Sequence, residues 1–138
     1  MHNANPDNLK TYTGSCHCGA IRYRVTCDLG GATRCNCRIC TKISSMGVIV
    51  KPSAFELLEG SDVITHYPNA IGKRSFCSRC GIHCFGDGNL PEIGGEFVSV
   101  NANTLDEVEL TGLKVLHWDG RHDNWEAGPR PEPWLMYP

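Results

Sequence analysis

The sequence predicts an all-β domain. Three observations carry that reading. Apolar and polar residues alternate with period two in short runs. Turn-forming Gly, Pro, Asn, Asp and Ser interrupt those runs at short intervals, with 15 glycines and 8 prolines in 138 residues. No long segment shows the 3.6-residue apolar period of a helix.

Taken in order, residues 1–13 read as a polar lead-in, 14–127 as the domain and 128–138 as a tail. Ile21, Tyr23 and Val25 alternate with Arg22 and Arg24, as in a half-buried strand. Residues 48–50 are a short buried-type apolar run, and strands are predicted at 55–58, 63–67, 82–85, 97–100 and 115–118. A short helix is expected over 37–42 and a turn over 104–108. The glycine-rich stretch 86–91, with Gly94 and Gly95 beyond it, reads as a flexible loop and a candidate lid. Pro129, Pro131, Pro133 and Pro138 make the tail an extended strap, with Trp134 as its pin.

Charge is nearly balanced, 13 basic against 15 acidic residues, and no basic run appears, so a nucleic-acid partner is not expected. No apolar stretch approaches the roughly 20 residues of a membrane helix. The first eight residues lack the charged and apolar parts of a signal peptide, so the expected location is cytoplasmic. In a reducing cytosol, clustered cysteines are metal ligands or catalysts more often than disulfides, and the total of nine is odd.

Those cysteines carry the functional reading. Cys16-His17-Cys18-Gly19 and Cys77-Ser78-Arg79-Cys80-Gly81 look like two knuckles, each with a glycine after its second cysteine. A tight turn there aims backbone N–H groups at the sulfurs. Together they supply four thiolates, the complement of a closed, structural zinc site. His17 is left out of that set, and His83 reads as a strand residue on the solvent face.

Cys35, Cys37 and Cys40 supply three thiolates. Their spacing leaves two versions standing. In one, the fourth position is open to a small thiol, which loses its proton there and attacks an electrophile such as an aldehyde. In the other, an internal ligand closes the site, with Cys27 and Cys84 as candidates, although both sit where buried core cysteines would. An open site could also be the labile one of two zincs.

The order CxCG, CxCxxC, FCxxCGxH resembles the glutathione-dependent formaldehyde-activating enzyme family, which also contains centromere protein V. The matching segments are residues 15–23, 35–42 and 76–83. Asn36 stands where the family often has His, and Cys84 where an aliphatic residue is usual. The resemblance implies a β-tent of small antiparallel sheets organised around two zincs per chain. It places the structural zinc on Cys16, Cys18, Cys77 and Cys80, and the catalytic zinc on Cys35, Cys37 and Cys40. It further implies a carbon–sulfur lyase-type reaction joining formaldehyde to glutathione as S-(hydroxymethyl)glutathione.

Glutathione's carboxylates would need cationic donors. Arg38 and Lys42 are nearest the three cysteines, and Lys73-Arg74 precedes the late knuckle; each reads equally as a surface or strand-edge charge. Residues 117–125 are dense in functional side chains, and Trp118 and Arg121 are candidates for the substrate cleft. A non-catalytic zinc-stabilised binding module remains the alternative. A thiol redox enzyme would have to rest on Cys84, the last cysteine in the chain.

Overall fold

Alternation in the Arg22–Cys27 segment becomes a two-faced strand: Tyr23, Val25 and Cys27 are buried, while Arg22 and Arg24 face solvent. Each such fully buried side chain contributes on the order of 1.5–3 kcal/mol. The computed structural model describes residues 5–137. In chain order the strands are β1 (Lys10–Ser15), β2 (Arg22–Cys27), β3 (Thr33–Cys35), β4 (Gly47–Val50), β5 (Phe55–Glu59), β6 (Ile64–Pro68), β7 (Gly72–Cys77), β8 (His83–Leu90), β9 (Gly95–Asn101) and β10 (Leu116–Trp118). One α-helix, α1 (Arg38–Ile43), and several short 3₁₀ turns complete the described residues.

Two sheets form: a three-stranded one, β1-β2-β5, and a seven-stranded one, β10-β3-β4-β9-β8-β7-β6. Pairing is antiparallel except between β10 and β3, which run parallel with Trp118 opposite Cys35. An aromatic cluster joins the sheets. Tyr23 of β2 and Phe55 of β5 stack at 5.5 Å between centroids, and Phe85 of β8 meets Phe55 at 4.6 Å. The buried Tyr23 hydroxyl is satisfied by Thr104 Oγ1 at 2.6 Å, and Thr104 donates in turn to the Asn101 carbonyl.

Three strands have no counterpart in the predicted set. β1 begins at Lys10, inside the stretch read as a lead-in, and Thr11 bonds Thr26 across to β2. Residues 1–4 of that stretch lie outside the described residues. β3 is three residues long. β7 reads as polar, but its polar side chains have cross-strand partners: Lys73 pairs with Asp87 at 2.8 Å, and the buried Ser75 hydroxyl meets His66 Nδ1 at 2.9 Å.

Of the expected loop at 86–91, residues 86–90 are instead strand, and the turn is confined to Pro91–Ile93 with Gly94 as its cap. β8 continues through Gly86, Gly88 and Leu90, each paired with β9. Its glycines allow close packing rather than mobility: a Cβ on Gly88 would stand 2.7 Å from the Phe97 ring. His83 is likewise not a solvent-face residue. Its ring stacks on Phe76 at 4.9 Å, and Nδ1 is buried.

Candidate metal centres

The first knuckle follows β1 and the second ends β7, so the two arrive from different sheets. Both close alike. Gly19 N–H bonds the Cys16 carbonyl at 3.2 Å, and Gly81 N–H bonds the Cys77 carbonyl at 2.8 Å. Both glycines hold positive φ, +82° and +78°, which other residues adopt at a cost. Backbone N–H groups then meet sulfur: Ile21 to Cys16 at 3.3 Å and Arg79 to Cys77 at 3.4 Å. Donors from Cys80 and Arg79 hold the Cys77 thiol below its ordinary range. Burial opposes ionisation of Cys80, yet N–H groups of Cys18 and Ile82 bring it down to about 6.

The sulfurs of Cys16, Cys18, Cys77 and Cys80 lie within 4.8 Å of one another. Zn–S bonds of about 2.3 Å in a regular tetrahedron set sulfurs about 3.8 Å apart. The separations are 3.6 Å for Cys16–Cys18 and 3.7 Å for Cys18–Cys77, so the donor set fits a tetrahedral ion. His17 is exposed and outside this group.

The second group is built at the end of β3. Cys35 closes the strand, Cys37 caps α1, and Cys40 lies three residues on, on the same helix face. Their sulfurs also lie within 4.8 Å of one another, and no fourth Cys, His, Asp or Glu joins them among the described residues. Hydrogen bonds from the Cys35 and Cys40 thiols drive Cys37 toward thiolate, with Arg74 assisting. Sharing protons with Cys35 and Cys37 raises the Cys40 thiol. Arg74 Nη2 donates to Cys40 Sγ at 3.4 Å.

Cys27 and Cys84 are buried and belong to neither group, although Cys84 lies close enough to Cys16, Cys77 and Cys80 to feel their charge. Burial pushes their thiols up to about 11 and about 12, so they stay protonated as core residues.

A cavity of about 270 Å³ opens beside the second group, walled by Arg34, Cys35, Cys40, Trp118, Trp134 and Met136, with His117 also on its wall. The tail forms part of that wall because it is docked. Arg130 and His117 exchange backbone hydrogen bonds of 2.7 and 3.0 Å, and Trp134 Nε1 donates to the His117 carbonyl at 2.9 Å. Arg130 lies 3.6 Å over the Trp134 ring.

Of the four predicted substrate residues, Trp118 lines this cavity. Arg38 and Lys42 are exposed on α1, off the cavity wall. Arg121 bonds the Asn36 carbonyl through Nε at 2.9 Å and stacks on Tyr137. Arg34, the cation on the wall, was missed by sequence reasoning; its place one residue before Cys35 was the available signal. Asp119 falls in the 117–125 stretch read as a candidate cleft, though it was not singled out there. It is buried and accepts from Asn36 Nδ2 at 2.8 Å, His122 Nδ1 at 2.8 Å and Asn124 Nδ2 at 3.3 Å. These partners, Asn36 foremost, hold its carboxyl below the usual carboxylate range.

Residues 11–118 match the family model described as glutathione-dependent formaldehyde-activating enzyme. A curated Halomonas elongata protein bearing that family's name is 37% identical over 78 residues. That alignment takes in 49% of this chain, which spans about half (50%) of the relative's length. A crystal structure of a Rhodobacter sphaeroides protein superimposes with a TM-score of 0.65 at 24% identity, covering 89% of this chain and 99% of the other, and supports the fold. No helix among the described residues is long and apolar enough to cross a membrane.

Proposed function

The chain belongs to the glutathione-dependent formaldehyde-activating enzyme family, and from that membership we propose that it is a zinc-dependent carbon–sulfur lyase-type enzyme joining glutathione to formaldehyde. The observation that carries the reading is the group Cys35, Cys37 and Cys40: three sulfurs with no fourth ligand side chain among the described residues, beside a cavity. In this reading two zincs bind per chain, a structural one on Cys16, Cys18, Cys77 and Cys80 and a catalytic one on the three-cysteine group. Cys35, Cys37 and Cys40 would hold the catalytic zinc, which when bound would supply the Lewis acidity that favours the thiolate form of an incoming thiol.

The chain's own residues do the rest. Arg74, against Cys40, offsets the negative charge that accumulates on the cysteines. Arg34 offers a guanidinium to a glutathione carboxylate, and Trp118 and Trp134, which also line the cavity, exclude water from it. Arg38 and Lys42 attract the anionic thiol from the exposed face of α1, and Arg121 steadies the loop beyond Cys35. Burial, with Arg34 and Arg130 nearby, lowers the His117 pKa and so favours the neutral imidazole. It accepts the thiol proton and returns it to the aldehyde oxygen as the carbon–sulfur bond forms and the C=O π bond opens. The working unit is the 14–127 domain extended back to Lys10, where β1 begins, with Pro133, Trp134 and Met136 of the tail in the cavity wall, acting in the cytoplasm.

NMR exchange between glutathione with formaldehyde and their S-hydroxymethyl adduct tests this. Zinc-loaded protein is expected to speed exchange, and Cys35→Ser or Cys37→Ser to abolish the effect with near-UV circular dichroism unchanged. Protein shown to hold two zincs that leaves the exchange rate untouched would refute the proposal.

A further inference from the structure

Asn36 sits between two of the three clustered cysteines, and all its polar groups are engaged. Its N–H bonds the Trp118 carbonyl at 3.3 Å, and its carbonyl accepts from Arg121 Nε at 2.9 Å. Its side-chain Oδ1 accepts from the Arg121 N–H at 2.9 Å, while Nδ2 donates to Asp119 Oδ1 at 2.8 Å. The partner at the end of this chain is the anomaly. Asp119 is only 5% exposed, and a carboxylate so placed is stable only if its lone pairs are filled. Asn36, His122 and Asn124 fill them from the side chains, and the Asp119 carbonyl takes the Asn124 N–H at 3.1 Å.

The loop so held lies directly on the cysteines. A Cβ on Gly120 would stand 2.5 Å from Cys35 Sγ and 2.7 Å from the Trp125 ring. Cys35 is therefore covered on that side by backbone, with Trp125 packed behind and Trp118 beside it at 5.8 Å between rings. Cys35 also lines the cavity.

We infer that Asp119 is a positioning residue for the three-cysteine centre: acting through Asn36, it holds the Cys35–Cys37 turn in the shape that gathers the sulfurs and presses the 119–125 loop over Cys35. The inference rests on reading those cysteines as metal ligands. It adds a buried anion, 83 residues from Asn36, that touches neither metal nor substrate. Outer partners of this kind typically change metal affinity by about 10–100-fold.

Cobalt(II) is the probe, followed through its thiolate charge-transfer and d–d absorption, and the four-cysteine group in the same molecule is the internal control. Asn36→Ala and Asp119→Ala are each expected to weaken the second cobalt about tenfold or more while the first is unmoved. Because both variants break one linkage, the double variant should lose little beyond either single one. Asp119→Asn keeps an oxygen facing Asn36 and should recover part of the loss. If Asp119→Ala does not fold, Asn36→Ala decides, since its side chain is only half-buried. Second-site affinity within twofold of the unaltered protein overturns the inference, as does equal weakening at both sites or a double variant whose fold-losses multiply.

The two readings fail separately. Unchanged affinity in the variants leaves the proposed reaction standing. Weakened affinity, in a protein whose unaltered form does not speed the glutathione–formaldehyde exchange, keeps Asp119's role and removes the reaction. One cobalt only in the unaltered protein overturns both.

Discussion

Removing the metal from the four-cysteine centre should cost far more stability than removing it from the three-cysteine centre, and chain connectivity sets the difference. Cys18 and Cys77 meet at 3.7 Å across a separation of 59 residues. Closing a loop of that length in the unfolded chain costs about 4 kcal/mol on the cross-link entropy scale. Domains of this class hold about 5–15 kcal/mol in total, so the staple is a large share. For this length each kcal/mol moves the melting temperature roughly 3–5 °C, which gives a fall of about 15 °C. The second group spans only Cys35 to Cys40, so its metal closes almost no loop and adds little of this kind. The assay is thermal unfolding by near-UV circular dichroism, with metal content measured alongside. It compares loaded protein, protein treated with chelator and reductant, Cys77→Ala and Cys40→Ala. Cys77→Ala should match the chelated protein, and Cys40→Ala should melt within a few degrees of the loaded one. A fall below ~5 °C in Cys77→Ala, with one metal demonstrably gone, would refute the staple argument.

Three further outcomes follow from the same geometry. Cys84→Ala should keep both metals and lose only about 1 kcal/mol, because Cys84 is core; loss of a metal in mass spectrometry of the native protein would make it a ligand. Gly88→Val should destabilise by about 1–3 kcal/mol in urea titration, because its side chain enters the Phe97 ring; a mobile lid would show no change. Burial first, then Arg34 and Arg130, disfavour the charged form of His117 and place its pKa below 6.5. The neutral base should therefore persist as pH falls past 6.5, and kcat/KM should decline only at still lower pH. The same shift means that the unfolded chain takes up a proton more readily, so stability falls as pH drops below 6.5. An acid limb centred at or above 6.5 would remove His117 from the proton relay.

Much of the architecture was legible because neighbouring residues encode it. The alternation of Ile21, Tyr23 and Val25 against Arg22 and Arg24 named a buried face, and the structure buries those three fully. Position 37 was readable as a helix start, and α1 begins at Arg38. The failures have a common cause. β7 is polar in sequence because Lys73 and Ser75 are satisfied by Asp87 and His66 on neighbouring strands, partners that periodicity cannot see. Residues 86–90 looked like a loop because glycine marks both turns and close strand approach, and only the Phe97 ring overhead distinguishes them.

At the two centres the division follows the reach of the interactions. Cysteines two or three residues apart, with glycine after the pair, carry their ligand geometry in the local chain, so the sequence alone determined which sulfurs share a turn. What surrounds those sulfurs was decided by the tertiary structure. Arg74 reaches Cys40 across 34 residues, Asp119 reaches Asn36 across 83, and Trp134 closes the cavity from the tail. No local pattern announces such contacts. They exist because the large sheet sets β3 beside β10 and carries β7 to the same centre, and the free energy of packing that sheet, not the propensity of any segment, selects them.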